Sequence, residues 1–104
     1  MENKTKAETF IGFSIRARKC RIGTNAVATL KKAELIIVCH TASDNTVKEA
    51  ESLARRFKCK IIKTVTKPLS SLVVRENAKV MALTDKALAT ALLTNIANDF
   101  IELD

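Results

Sequence analysis

Between Leu35 and Cys39 five apolar residues run without a break, as in a strand covered on both faces. Elsewhere the pattern switches between two periods. Ala7, Phe10, Ile11, Ser14 and Ala17 recur at helical spacing and predict an amphipathic helix over residues 4–17. Lys19-Cys20-Arg21-Ile22 alternates polar with apolar, as a short half-buried strand does. Gly23-Thr24-Asn25 breaks that strand, and residues 26–32 predict a second helix. Beyond the Leu35–Cys39 strand, Ser43 or Asp44 is placed to cap a third helix with Val47, Ala50, Leu53, Ala54 and Phe57 on its apolar face. Lys60 to Val65 predicts a strand, and Pro68 opens a short helix or turn ending near Arg75-Glu76-Asn77. Val80-Met81-Ala82-Leu83 predicts a buried strand. Thr84 or Asp85 starts a last helix with Leu88, Ala91, Leu92 and Ile96 on one side. Strands alternating with helices predict an α/β fold, a three-layer α/β/α sandwich about a mainly parallel or mixed sheet.

Only two Gly and one Pro punctuate the 104 residues, so the expectation is one domain, residues 1–104, of regular elements and short loops. With 47% hydrophobic residues the chain can bury a core, which excludes a disordered tail. No apolar run approaches the roughly 18 residues of a membrane span, so no membrane partner is expected. Met1-Glu2-Asn3-Lys4 leads into a charged segment without a secretory apolar region, which predicts a cytoplasmic protein. The net charge of +7 favours polyanionic partners. Trp and Tyr are absent and Phe is scarce, which argues against binding single strands by stacking bases on exposed rings. Residues 1–33 hold eight Lys or Arg against two Glu, whereas residues 67–104 are slightly acidic. The excess is densest at Arg16, Arg18, Lys19 and Arg21.

Candidate catalytic chemistry is sparse. Cys20, Cys39 and Cys59 form no C-x-x-C pair, and their odd number fits no disulfide framework. A zinc site would need all three together with His40, the only histidine, without the close pairs such sites present. A thiol nucleophile based on His40 would lack an orienting third group. Asp44, Glu49, Glu51 and Asp85 fall in helix first turns or on helix faces, and no Gly-rich phosphate loop occurs. The expectation is a non-enzymatic protein without metal or cofactor. What stands out is the basic strand Lys19-Cys20-Arg21-Ile22 running into Gly23-Thr24-Asn25 at a helix start. Free backbone N–H groups there suit an anion, while Thr24 or Asn25 can equally be the helix cap.

Phe10-Ile11-Gly12-Phe13-Ser14-Ile15-Arg16-Ala17-Arg18-Lys19, followed by Gly23, resembles the opening of bacterial YlxQ-like proteins. These belong to the kink-turn RNA-binding superfamily of ribosomal proteins, the L-seven-Ae and L-thirty-e group. The likeness continues through Ala33 to Val38, Ala42-Ser43-Asp44-Asn45-Thr46 and Ala82-Leu83-Thr84-Asp85-Lys86, so it covers the chain from about Phe10 to Leu93. The resemblance implies a three-layer α/β/α sandwich with a four-stranded mixed sheet. It also implies binding to an RNA helix bent sharply at a bulge beside tandem G·A pairs, and association with the ribosome.

By match, Gly23, Thr24 and Asn25 keep the start of the family's groove-entering segment. Asn25 would contact a G·A guanine, and Gly23 would let the backbone approach closely. Positioning on phosphates would come from Lys19, Arg21, Lys31, Lys32 and Arg75. Readout would add the loop Leu72-Val73-Val74, set against an unstacked bulge base. The chain departs from the family at Ala26 and Thr29, which replace a Glu and a Lys, and at Ser70 and Val74, which replace glycines. Its His40-Thr41 stands where the family is acidic. These departures motivate an alternative, a protein-interaction module of the same fold whose RNA site has decayed. Nothing in the sequence specifies the oligomeric state or the particular RNA.

Overall fold

Three side chains fix the starts of the long helices. In the computed structural model, which describes residues 5–96 and 98–103, Thr5 caps α1 (Lys6–Arg16) by accepting from the Glu8 N–H at 3.2 Å. Ser43 does the same for α3 (Asp44–Phe57) with the Thr46 N–H, and Asp85 for α5 (Lys86–Thr94) with the Leu88 N–H. Between them lie β1 (Cys20–Ile22), α2 (Thr24–Ala28), β2 (Leu35–Val38), β3 (Lys60–Thr64), α4 (Leu69–Val73) and β4 (Val80–Leu83), with β5 (Phe100–Leu103) last. No helix among the described residues is long and apolar enough to cross a membrane.

The strands form one mixed sheet in the order β1-β4-β2-β3-β5. β2 and β3 are parallel, with Ile36 opposite Ile61, and α3 supplies the crossover that a parallel pair needs. β4 lies antiparallel between β1 and β2, so Ala82 is paired with both Arg21 and Ile36. The sheet has five strands, not the expected four. β5 pairs antiparallel with β3, Phe100 opposite Thr64. It escapes a hydrophobic-pattern reading because Phe100 is its only fully buried residue, while Ile101 and Glu102 face solvent at the sheet edge.

The unbroken apolar run of β2 has a direct cause. Leu35 and Ile37 join a cluster with Ile11 of α1, Leu69 of α4 and Leu92 of α5, while Ile36 and Val38 join another with Val27 of α2 and Leu53 of α3. Alternate residues therefore meet different helices, and neither set can be polar. Each fully buried Leu or Ile stabilises the fold by roughly 1.5–3 kcal/mol.

The second helix starts and stops earlier than the pattern predicts. At its C-cap the Thr29 hydroxyl donates to the Ala26 carbonyl at 2.7 Å, and the Thr29 and Leu30 N–H groups also turn back three residues. This tightened turn ends α2, and the Arg56 guanidinium holds it by donating to the Ala28 and Leu30 carbonyls. Lys31 and Lys32 consequently lie in the loop before β2 rather than on a helix.

Candidate nucleic-acid interface

The turn between β1 and α2 rests on Gly23. Its φ of 103° lies where L side chains rarely go, so glycine is required by the backbone. Its N–H donates to the Val80 carbonyl at 2.8 Å, and its carbonyl accepts from the Val27 N–H at 2.9 Å. The turn is thus pinned to the start of β4 while it opens α2. Gly23 itself is the N-cap, and no side chain closes the helix start. Neither Thr24 nor Asn25 acts as a cap, because both already lie within the helix. Thr24 is half-buried. Asn25 is exposed, and its side chain makes no hydrogen bond among the described residues.

Arg75 reaches the same place from the other side. α4 ends at Val73, Val74 takes a left-handed conformation, and the Arg75 N–H donates back to the Ser70 carbonyl at 3.1 Å. A groove of about 340 Å³ follows, lined by Arg18, Arg21 and Arg75 together with Ile15, Cys20, Ile22 and Ala26. Arg75 also lines a neighbouring hollow of about 400 Å³ with Ser70, Ser71, Val74, Glu76 and Asn77. None of the three arginines is in an ion pair among the described residues, where the pairs are Lys60–Glu102 and Lys67–Glu8. Burial pushes the Cys20 thiol up, and the opposing pull of Ser14, Arg21 and Arg75 does not offset it. Two cations from elements far apart in the chain thus act on one sulfur in the groove.

The other expected contact residues are distributed differently. Lys19 is exposed where β1 begins, its carbonyl accepting from the Thr84 N–H at 2.9 Å, beside the groove rather than in it. α2 carries the chain from the end of β1 back to the start of β2, so Lys31 and Lys32 sit at the opposite end of the sheet from Gly23. The expected apolar loop Leu72-Val73-Val74 is largely helix. Leu69 and Val73, four residues apart, bury together in α4, and Leu72 packs against the same cluster. Only Val74, at 89% exposure, remains available to a partner.

Arg18 is the contributor that sequence reasoning left out of the site. It belongs to the basic run Arg16-Ala17-Arg18-Lys19, but the run alone does not say which of its members turns toward β1. Arg18 does so in a left-handed conformation just beyond the end of α1.

The cysteine and histidine positions offer other chemistry. Burial pushes the Cys39 thiol up, but hydrogen bonds from Thr41, the Leu69 N–H and Thr64 outweigh it and bring the thiol below its ordinary value. The His40 Nδ1 and backbone N–H both meet the Thr64 hydroxyl at 2.9 Å, which ties the ring to β3. Among the described residues no group of three His, Cys, Asp or Glu side chains is placed to hold a metal.

No family model and no curated protein matches this sequence. The fold is similar to the solved structure of a protein of unknown function from Bacillus halodurans. The two share a TM-score of 0.73 at 18% identity, over 88% of this chain and 96% of that one. The likeness describes the fold alone. What fold and site define together is a small basic α/β protein with an arginine-lined groove at one sheet edge.

Proposed function

We propose that this chain is a small, non-enzymatic RNA-binding protein of the YlxQ-like, kink-turn-binding kind. In this reading the two helix groups and the sheet between them are the family's three-layer α/β/α sandwich, extended by a fifth strand. The ligand is a kinked or bulged RNA helix, ribosomal RNA in a bacterial cytoplasm being the natural setting. The observation that carries the reading is the convergence of Arg18, Arg21 and Arg75 on one groove whose lining residues Ile22 and Ala26 bracket the Gly23 turn. A planar guanidinium offers a fork of donors suited to phosphate and base edges, and three of them in one groove favour folded nucleic acid.

Asn25, exposed and uncommitted, supplies readout, with the Gly23-Thr24 backbone alongside. The residues at the family's Glu and Lys positions, Ala26 and Thr29, leave cationic contact to the arginines. The test is a gel-shift comparison of a kink-turn RNA with its straightened control at two salt concentrations. Tighter binding to the kinked form, with affinity falling steeply as salt rises, is expected. Equal affinity for both forms would remove kink selectivity, and no binding to either would leave the alternative of a protein partner.

A further inference from the structure

Five lysines that the groove does not use gather at the opposite end of the sheet. Lys31 and Lys32 lie in the loop into β2, Lys58 caps α3, Lys60 opens β3 and Lys86 opens α5. Two hollows of about 440 and 340 Å³ flank Lys58-Cys59-Lys60, the first shared with Lys86 and Glu34, the second with Arg55 and Glu102. Among the described residues Lys31, Lys32, Lys58 and Lys86 are in no ion pair, whereas Lys60 holds Glu102 at 3.0 Å. The Asp85 carboxylate nearby is committed to the Leu88 N–H, which leaves Glu34 and Glu51 as the other carboxylates here. Cys59, its thiol pushed up to about 11 by burial and by Glu34, stays uncharged at neutral pH and adds nothing to that acidic side.

The two basic surfaces differ in chemistry and in place. The groove carries arginines, whose planar forks select geometry; this end carries mainly lysines, point charges that attract phosphate without selecting sequence. β1 and β3 are separated by β4 and β2, or about 14 Å of sheet, before side chains extend further. A ligand segment held in the arginine groove therefore does not reach Lys58 or Lys60 at the start of β3, and a second stretch of backbone has to supply the phosphates there.

We infer that the lysine end of the sheet is a second phosphate-contacting surface, which holds the helical arm of the RNA that leads away from the bend. The inference rests on the RNA reading and adds a second contact to it. The test uses the full chain with two RNAs, a kink-turn with minimal arms and the same kink-turn with both arms lengthened by a helical turn. The variant Lys31→Gln/Lys32→Gln/Lys58→Gln/Lys86→Gln is compared with Arg21→Gln/Arg75→Gln. The lysine variant is expected to bind the lengthened RNA at least about tenfold more weakly, with the salt slope reduced by up to roughly 3–4 for its four lysines, and the minimal RNA as wild type does. The arginine variant should lose affinity for both. A lysine variant that binds the lengthened RNA with wild-type affinity and slope overturns the second surface, and leaves the groove intact if the arginine variant still fails. Equal loss on both RNAs overturns it too, since the lysines would then act only through the general field. A wild-type chain that binds neither RNA overturns the RNA reading and this inference together.

Discussion

The Gly23 N–H donates to the Val80 carbonyl at 2.8 Å, and this bond joins the two chain segments that flank the arginine groove. One segment turns from β1 into α2; the other runs from Val74 through Arg75 to the start of β4. Gly23→Ala places a Cβ in open space, so the expected damage comes from the backbone at φ 103° rather than from a clash. A loss of about 1–3 kcal/mol is expected. For a domain of this size each kcal/mol lowers the thermal midpoint by roughly 4–8 °C. A melting curve that overlays on wild type would contradict this account of the turn.

Asn25 lies inside α2 with Gly23 as the cap, so its side chain contributes little to folding. Asn25→Ala should leave stability within about 0.5 kcal/mol of wild type. The same change should weaken kinked RNA more than straight duplex. Unfolding and RNA titration of one preparation separate the two effects, and a large stability loss would return Asn25 to a structural role.

Val74 is β-branched, left-handed (φ 52°) and 89% exposed, so its strain is offset by almost no packing. Val74→Asn is expected to stabilise the protein by about 0.5–1 kcal/mol, since Asn tolerates this conformation. Urea unfolding reads the change as a higher midpoint. An unchanged or lower midpoint means the exposed valine packs against something after all.

Cys59 gives a pH signature. The unfolded thiol ionises near 9.0, while in the folded chain burial and Glu34 hold the proton until about 11. Between these values the unfolded state binds fewer protons, so stability falls as pH rises through the interval. Cys59→Ser removes that contribution, and its stability should decline less between pH 9 and pH 11 than that of wild type. Parallel declines would show that another group is responsible.

How much of this was legible in the chain depends on what each residue packs against. Leu35–Val38 and Val80–Leu83 are buried at every position, and a continuous apolar run leaves little choice of element or place. Phe100–Leu103 buries one residue fully at a sheet edge and so leaves no pattern to read. Leu72 and Val73 look like a sticky loop until Leu69 is counted with Val73 on one helical face. The early end of α2 comes from tightened bonds at Thr29 and Leu30 held by the distant Arg56, which propensity does not weigh, and the return of the chain to the start of β2 carries Lys31 and Lys32 away from the groove. The meeting of Arg21 with Arg75 follows from the pairing of β1 with β4, a long-range event that no local periodicity encodes.

The arginine groove is the centre of the account, and the most direct measurement is RNA affinity as a function of salt for wild type, Arg21→Gln and Arg75→Gln. Wild type should prefer a kink-turn to its straightened control. Each substitution should weaken binding and make the log–log salt slope shallower by roughly 0.7–0.9. Unchanged slopes and affinities in both variants would contradict the claim that this groove holds RNA.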